Sequence, residues 1–346
     1  MKIIIDTMGG DNAPVEIVKG ALQGQKRFGV DVVLTGDTTE ILKALESCGE
    51  STLPKGVEIA HADEVVEMCD DPATVFRRKK NTSMGLGLNM VKDGKGDAFI
   101  SAGSTGALLT GATLLVKRVK GIRRAAMGPS LPNKAGGRTV ILDCGANAEC
   151  TAEFLLQFGI IGSLFAKKSL GVENPKVGLL NIGTEDSKGT ALQKEAYTLL
   201  SAAAEKGLLN FVGNVEARDV PLGAVDVVVC DGFSGNVLLK SIEGTAMFMG
   251  SLMKHKIFKR NIFSKIGYLF CKPGVDQVMK MMDYREIGGT EFLGIKKPVI
   301  KAHGSSDALA FRNAVRQAME AAKNNISEEL EQNLQLLSQL KETSND

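Results

Sequence analysis

Ile3-Ile4-Ile5-Asp6-Thr7-Met8-Gly9-Gly10-Asp11 begins with a β-branched apolar run and stops abruptly at a carboxylate, a hydroxyl and paired glycines. A short run that is apolar on both faces is what a parallel strand covered by helices on each side requires. The same signature recurs in Ala98-Phe99-Ile100-Ser101-Ala102-Gly103-Ser104-Thr105-Gly106 and in Val140-Ile141-Leu142-Asp143-Cys144-Gly145-Ala146-Asn147. It returns in Val177–Gly189, in Val227-Val228-Val229-Cys230-Asp231-Gly232-Phe233-Ser234-Gly235-Asn236 and in Val299-Ile300-Lys301-Ala302-His303-Gly304-Ser305-Ser306-Asp307. In an open α/β sheet the loops beyond the strands' carboxyl ends line the ligand crevice. Function should therefore be read in these loops.

Helical patterns lie between the runs. Asn12 followed by Pro14 fits the start of a helix reaching about Arg27. Others fit Thr38–Ser47, Ser83–Lys92, Thr105–Lys117, Thr151–Lys168, Thr190–Lys206, Gly235–Leu252 and Ser305–Lys323, with further strands at Asp31–Thr35, Val57–Ala60 and Asn210–Val212. This alternation predicts an α/β fold with a doubly wound, mostly parallel sheet. The expected organisation is one α/β domain over 1–346, with an inserted amphipathic helical hairpin at about 246–283 and a helical tail at about 324–346. Ile326, Leu330, Leu334 and Leu337 of the tail share one helix face, to be covered by the same domain or by a second subunit.

The insertion departs from the pattern. From Gly244 to Val275 there is no acidic residue, while Lys254, Lys256, Lys259, Arg260, Lys265 and Lys272 alternate with many apolar side chains. A turn is expected near Lys272-Pro273-Gly274. If the hairpin is a core or dimer element, its aromatics are buried. If it is interfacial, Phe258, Ile262, Phe263 and Phe270 enter a lipid headgroup boundary while Lys256, Lys259, Arg260 and Lys265 meet anionic lipid.

With 346 residues, 44% of them hydrophobic and 24% charged, the chain has the size and composition of a globular protein with a substantial core. A net charge of +2 argues against a general polyanion binder. Six cysteines without a C-x-x-C pair and only three histidines argue against a structural zinc site and fit reduced, scattered thiols. Asp6 interrupts the amino-terminal apolar run too early for a signal peptide, and no run is long enough to span a membrane. The expectation is a cytoplasmic protein, at most peripheral to a membrane.

Nucleotide fingerprints do not fit the loops. Met8-Gly9-Gly10-Asp11 and Ala102-Gly103-Ser104-Thr105-Gly106 lack the G-x-G-x-x-G spacing, and Gly85-Leu86-Gly87 has Met90 where the third glycine belongs. From Gly183 the order Lys188-Gly189 reverses that of a P-loop. The loops suit a small oxyanion instead. Gly103, Ser104 and Thr105, then Gly235 and Asn236, then Ser305 and Ser306, each fit the start of a helix, where unpaired N–H groups and the dipole favour an anion. Any one of these residues is equally a plain N-cap. Lys188, in a strand-end loop, offers a point charge or a proton, and His303 a general acid or base. Cys144 and Cys230 end buried strands without a neighbouring histidine, which argues against covalent catalysis. Two basic clusters, Arg77-Arg78-Lys79-Lys80 and Lys117–Arg124, form positive faces suited to an acidic partner protein. Nucleic acid is not expected, because no aromatics interleave with these charges.

Taken together, Asp6–Asp11, Ser101–Ala107, Asn181–Gly189, Gly213-Asn214-Val215-Glu216-Ala217-Arg218-Asp219, Asp231–Asn236 and Lys301–Asp307 resemble the bacterial phosphate acyltransferases, from Met1 to about Arg316. That family moves a long acyl chain from acyl carrier protein to inorganic phosphate, giving acyl phosphate for phospholipid synthesis. The resemblance implies a Rossmann-like fold related to phosphotransacetylases and isopropylmalate-type dehydrogenases, a homodimer, and no metal, nucleotide or other cofactor. It also implies peripheral contact with the inner face of the cell membrane, where an acylglycerol-phosphate acyltransferase would be a further partner. Lys188 and His303 become the implied catalytic pair. Gly9, Gly10, Asn147 and Glu185 join the phosphate set, and Arg77–Lys80 become the carrier-docking face. Asn12 stands where many members have histidine, and Ser104 where asparagine is frequent. The alternatives are a phosphotransacetylase acting on short acyl-coenzyme A and a non-enzymatic membrane-docking adaptor.

Overall fold

The structure, a computed structural model, describes residues 1–258, 260–281 and 283–342. Its strands are β1 (Lys2–Asp6), β2 (Asp31–Gly36), β3 (Val57–His61), β4 (Ala98–Ser101), β5 (Ala126–Met127), β6 (Ser130–Pro132), β7 (Arg138–Leu142), β8 (Lys176–Asn181), β9 (Asn210–Glu216), β10 (Val227–Val229), β11 (Gly289–Leu293) and β12 (Val299–Ala302). Its helices are α1 (Val15–Phe28), α2 (Thr38–Ser47), α3 (Val75–Arg78), α4 (Ser83–Lys92), α5 (Thr105–Gly111), α6 (Ala152–Leu170), α7 (Ala191–Glu205), α8 (Gly232–Leu252), α9 (Ile262–Met281), α10 (Tyr284–Ile287), α11 (Ala308–Asn324) and α12 (Ile326–Glu342). Wider π turns extend α5 over Ala112–Val116 and α8 over Met253–Phe258.

The apolar runs are strands, and most of them pair in parallel, in two sheets rather than one. The first has the order β3-β2-β1-β4-β12-β11-β5, the second β6-β7-β10-β8-β9. Between the strands of the described residues, only the pairings of β11 and β6 are antiparallel. One extended segment joins the sheets: Met127 pairs with Phe292 of β11, and Leu131, a few residues on, pairs with Thr139 of β7.

Helices cover both faces of the first sheet, which is why Ile3, Ile4 and Ile5 are all fully buried. α1 and α11 pack on one face through Ile17, Val18, Phe311 and Val315, with Gly20 and Gly24 letting the two helices approach closely. Met84, Leu88 and Leu108 cover Phe99 on the other. In the second sheet α6 supplies Leu155, Phe158 and Ile161, and α8 supplies Leu238 and Leu239 to the opposite face. The tail covers its own chain: Ile326, Leu330 and Leu334 are buried in the α6 core, and Lys168 pairs with Glu329 at 2.7 Å.

Three helix starts and one turn differ from expectation: α1 opens at Val15 after Pro14, without a side-chain cap from Asn12. α8 begins at Gly232, where Asp231 caps the backbone N–H of Ser234 at 2.8 Å, and not at Gly235. α11 begins at Ala308, capped by Asp307, and not at Ser305. In the hairpin, α9 runs unbroken through Pro273, so the chain does not turn at Lys272-Pro273-Gly274. Asn261 caps the start of α9, accepting from the N–H of Ser264 at 2.8 Å. α9 buries none of its described residues. The carbonyl that loses its partner at Pro273 therefore stays solvated, and the proline is tolerated.

Candidate functional site

A cavity of about 500 Å³ opens at the carboxyl ends of β1, β4 and β12. Met8, Gly9, Gly10 and Asp11 follow β1, Ala102, Gly103 and Thr105 follow β4, and Lys301, Ala302, His303 and Gly304 close β12. The opposite wall comes from Asn236, Leu239, Lys240 and Glu243 of α8, from Met127–Leu131 between the sheets, and from Val65–Met68. Two lobes of the fold thus contribute to one crevice at strand ends, the usual place for a ligand in this class.

The three strand-end loops are held together by close backbone approach. A side chain at Gly9 would meet the N of Gly103 at 2.7 Å, and one at Gly10, where φ is +107°, would meet Ala102 and the carbonyl of Gly304. The N–H of Asp11 donates to that carbonyl at 2.8 Å. Asp6 anchors the group from below, almost fully buried, accepting from the Ser101 hydroxyl at 2.6 Å and from the Met8 N–H at 3.2 Å. Burial raises its pKa, and these donors work against the rise. Asn12 ties the β1 loop to the β12 loop, its amide donating to the carbonyls of Ser305 and Ser306.

Lys301 is the residue that sequence reasoning passed over. Its ammonium lies in the cavity wall, donating to the carbonyl of Ala102 at 3.2 Å and to that of Ala302. Burial lowers its pKa to about 8, against the pull of Asp11 and Asp6. The signal was available: a lysine inside an otherwise apolar strand end, two residues before His303. Burial and Lys301 both depress the His303 pKa, so the imidazole is neutral near pH 7. Its Nδ1 accepts from the Ser305 N–H at 3.3 Å and meets the Ser305 hydroxyl at 2.8 Å. A backbone N–H can only donate, so the ring proton sits on Nε2.

Gly9, Gly10, Gly103, Thr105, Asn236 and His303 of the expected set line the cavity. The others do not. Ser104 caps α5 through the N–H of Ala107, and the N–H of Gly235 is taken by Asp231. Gly235 packs against the Asp143 backbone and has no room for a side chain. The amide of Asn147 donates to Ala125 and to Asp143, which it helps to hold buried. Ser306 is fully buried, and its hydroxyl has no partner among the described residues. Glu185 and Lys188 sit in the exposed loop after β8, outside the cavity wall, where the amide of Asn214 donates to the Glu185 carbonyl at 2.7 Å.

The charged surface sorts in the same way. Arg77, Arg78 and Lys80 are exposed, but Lys79 is half-buried, held by Asp70 at 2.6 Å and by the carbonyl of Val65. It braces the loop that forms one rim of the cavity. In the hairpin Phe263 is 81% and Phe270 83% exposed, whereas Phe258 is half-buried and stacks on Tyr268 with ring centroids 4.6 Å apart. Lys259 lies outside the described residues. Cys144, Cys150 and Cys230 have thiol pKa values raised by burial, Cys144 and Cys150 to about 12, which leaves them protonated and poor nucleophiles. Among the described residues no helix is long and apolar enough to cross a membrane.

The family model described as "Fatty acid synthesis protein" matches residues 1–329. A phosphate acyltransferase of Alkaliphilus oremlandii is 47% identical over 338 residues, 97% of this chain and 98% of that one. That of Clostridioides difficile is 46% identical over 332 residues, 96% of each. Among solved structures, a phosphotransacetylase from Streptococcus pyogenes superposes with a TM-score of 0.62 at 20% identity, covering 94% of each chain. A putative 4-hydroxythreonine-4-phosphate dehydrogenase from Salmonella typhimurium gives 0.56 at 14% identity, over 92% of this chain and 99% of the other. The last two share the fold alone. With a family model spanning nearly its whole length and relatives this similar from end to end, the chain belongs to the phosphate acyltransferases, a family of fatty acid synthesis proteins.

Proposed function

We propose that inorganic phosphate binds in the 500 Å³ cavity and attacks the thioester of a long-chain acyl group carried by acyl carrier protein, supplying acyl phosphate for phospholipid synthesis. The observation that carries this reading is a cationic Lys301 and a neutral His303 facing the glycine-packed loops of β1 and β4. Phosphate would rest against the closely packed loops at Gly9, Gly10 and Gly103, held by the Thr105 hydroxyl and the Lys301 ammonium. His303 would donate from Nε2 to phosphate or to the developing carbonyl oxyanion, a donor role and not that of a base. A phosphate oxygen forms the C–O bond, the tetrahedral intermediate collapses, and the C–S bond breaks with its electron pair on sulfur. The proton of hydrogenphosphate ends on the departing thiol, so no enzyme nucleophile is required. Holding both reactants together lowers the barrier by up to ~7–11 kcal/mol. Lys188, outside the phosphate cavity, is assigned to the donor side, where its charge would stabilise the leaving sulfur until that proton arrives.

The exposed Arg77, Arg78 and Lys80 support docking of an acidic carrier beside the rim that Lys79 braces. The unpartnered apolar residues of the hairpin support a homodimer contact, a peripheral contact with the cytoplasmic face of the membrane, or both. An acylglycerol-phosphate acyltransferase there would consume the product. The test is incubation with palmitoyl-carrier protein and phosphate, trapping acyl phosphate with hydroxylamine. Absence of the hydroxamate sinks the proposal. Product from short acyl-coenzyme A alone would favour a phosphotransacetylase, the reading that the shared fold keeps alive.

A further inference from the structure

Behind β11 lies a second cavity, of about 370 Å³, that the acyl-transfer reading does not use. Neighbouring residues of this strand face opposite ways, as a pleated strand requires: Thr290 lines the first cavity and Glu291 the second. Ser130 and Ile287 line both, so the two spaces share a thin wall. Arg138, at the start of β7, is half-buried here. It donates from Nε to the Ser130 hydroxyl at 2.9 Å and from Nη2 to the Ser130 carbonyl, and among the described residues no carboxylate lies within ion-pair distance of it. Arg316 of α11 enters from the other side, held by the Glu286 carbonyl at 3.0 Å and, loosely, by Glu320 at 3.5 Å.

We propose that Arg138 and Arg316 form a second oxyanion site that takes a phosphoryl group, separated from the reacting phosphate only by β11, Ser130 and Ile287. Two guanidiniums facing one space repel each other, and burial adds to the cost. Both effects depress the Arg138 pKa, and both are relieved by a shared anion. Glu291 completes the site. Burial alone pushes its carboxyl up to about 8, so at neutral pH it is an uncharged donor and not a competing anion. The other charged groups facing the cavity are Lys280, Glu286 and Glu320, of which Lys280 and Glu286 pair at 3.4 Å and Glu320 meets Arg316. The phosphoryl group could be inorganic phosphate or the phosphate ester of a substrate's prosthetic arm.

The test uses the full-length protein and phenylglyoxal, which modifies free guanidinium groups, with mass spectrometry to read each arginine. Inorganic phosphate should protect Arg138 and Arg316 at least fivefold while exposed Arg77 and Arg78 react as before. A parallel arm with 4′-phosphopantetheine distinguishes the sources: protection at lower concentration by that ester assigns the site to the prosthetic arm. Equilibrium dialysis with labelled phosphate should find two sites per chain, one of them lost in Arg138→Met with Arg316→Met and retained in Lys301→Met. In Glu291→Gln the second site should persist above pH 8, where wild type loses it. Unchanged modification of Arg138 and Arg316 under both ligands overturns the proposal. Because Lys301→Met addresses the first cavity alone, failure of the acyl-transfer reading registers separately.

Discussion

Lys301 and Lys188 have different tasks in the proposed reaction, and each task can be tested by substitution. Lys301→Met removes a cation from the phosphate wall, so turnover should fall by ~10²–10³, the cost of one transition-state donor, with a raised KM for phosphate. Lys188→Ala should lower turnover on the carrier thioester while the KM for phosphate stays within twofold. Steady-state kinetics with phosphate and acyl carrier varied in turn separate the two. A raised phosphate KM in Lys188→Ala would move the phosphate site toward the β8 loop. The Lys301 pKa also sets a pH limit. Below about 8 the ammonium is charged and holds an anion, and above it the charge is lost, so kcat/KM for phosphate should decline as pH rises past 8. Stability runs the other way. The native pKa is depressed from 10.5 to about 8, so between these values the unfolded chain binds more protons and folding is favoured as pH rises. Thermal melts of wild type should rise over that window relative to Lys301→Met, which lacks the group. Lys301 was legible as a residue but not as a participant. Sequence shows a lysine at a strand end, and only packing shows that the amine is enclosed beside Asp11 and Ala102.

Elements were legible where the apolar run was long. β1, β4, β7, β8, β10 and β12 stood out because burial on both faces leaves no alternation to confuse with a surface strand. β5, β6 and β11 did not, since a two-residue strand and a strand beginning Gly289-Thr290-Glu291 carry no such run. The helix starts moved for a local reason: the carboxylates of Asp231 and Asp307 accept from the Ser234 and Ala310 N–H groups and so fix where each helix begins. Gly235 accordingly changes from a phosphate ligand to a packing residue, and Gly235→Ala should cost about 1–3 kcal/mol or more through overpacking against the Asp143 backbone. Chemical denaturation measures this, and a loss below 0.5 kcal/mol would return Gly235 to the ligand set. In the hairpin, Phe258 is tied to Tyr268, so the free apolar anchors are Phe263 and Phe270. Phe263→Asp with Phe270→Asp should abolish co-sedimentation with anionic vesicles while solution activity survives. If the pair instead splits a dimer on gel filtration, the hairpin's partner is a second subunit.

At the scale of the molecule, the cavity is assembled from both sheets, and the chain crosses between them through Met127–Leu131, which lines that cavity. The expectation of a parallel α/β crevice survived intact; its division into two sheets did not follow from the sequence, because the joining strands are too short to announce themselves. A consequence follows for how such a site can change over time. The proposed phosphate side is built from Gly9, Gly10 and Gly103, whose missing side chains would each strike a neighbouring atom within 3 Å. At Gly9 and Gly10 the atoms struck are backbone or a short side chain that cannot swing away, so those two positions are closed to drift. The facing wall, with Lys240 exposed on α8 and Met68 exposed on a loop rim, has room for replacement of size and charge. Inheritance would preserve the acceptor and leave the donor open to revision, and an engineer seeking a new acyl preference should edit α8 and the Val65–Met68 rim first.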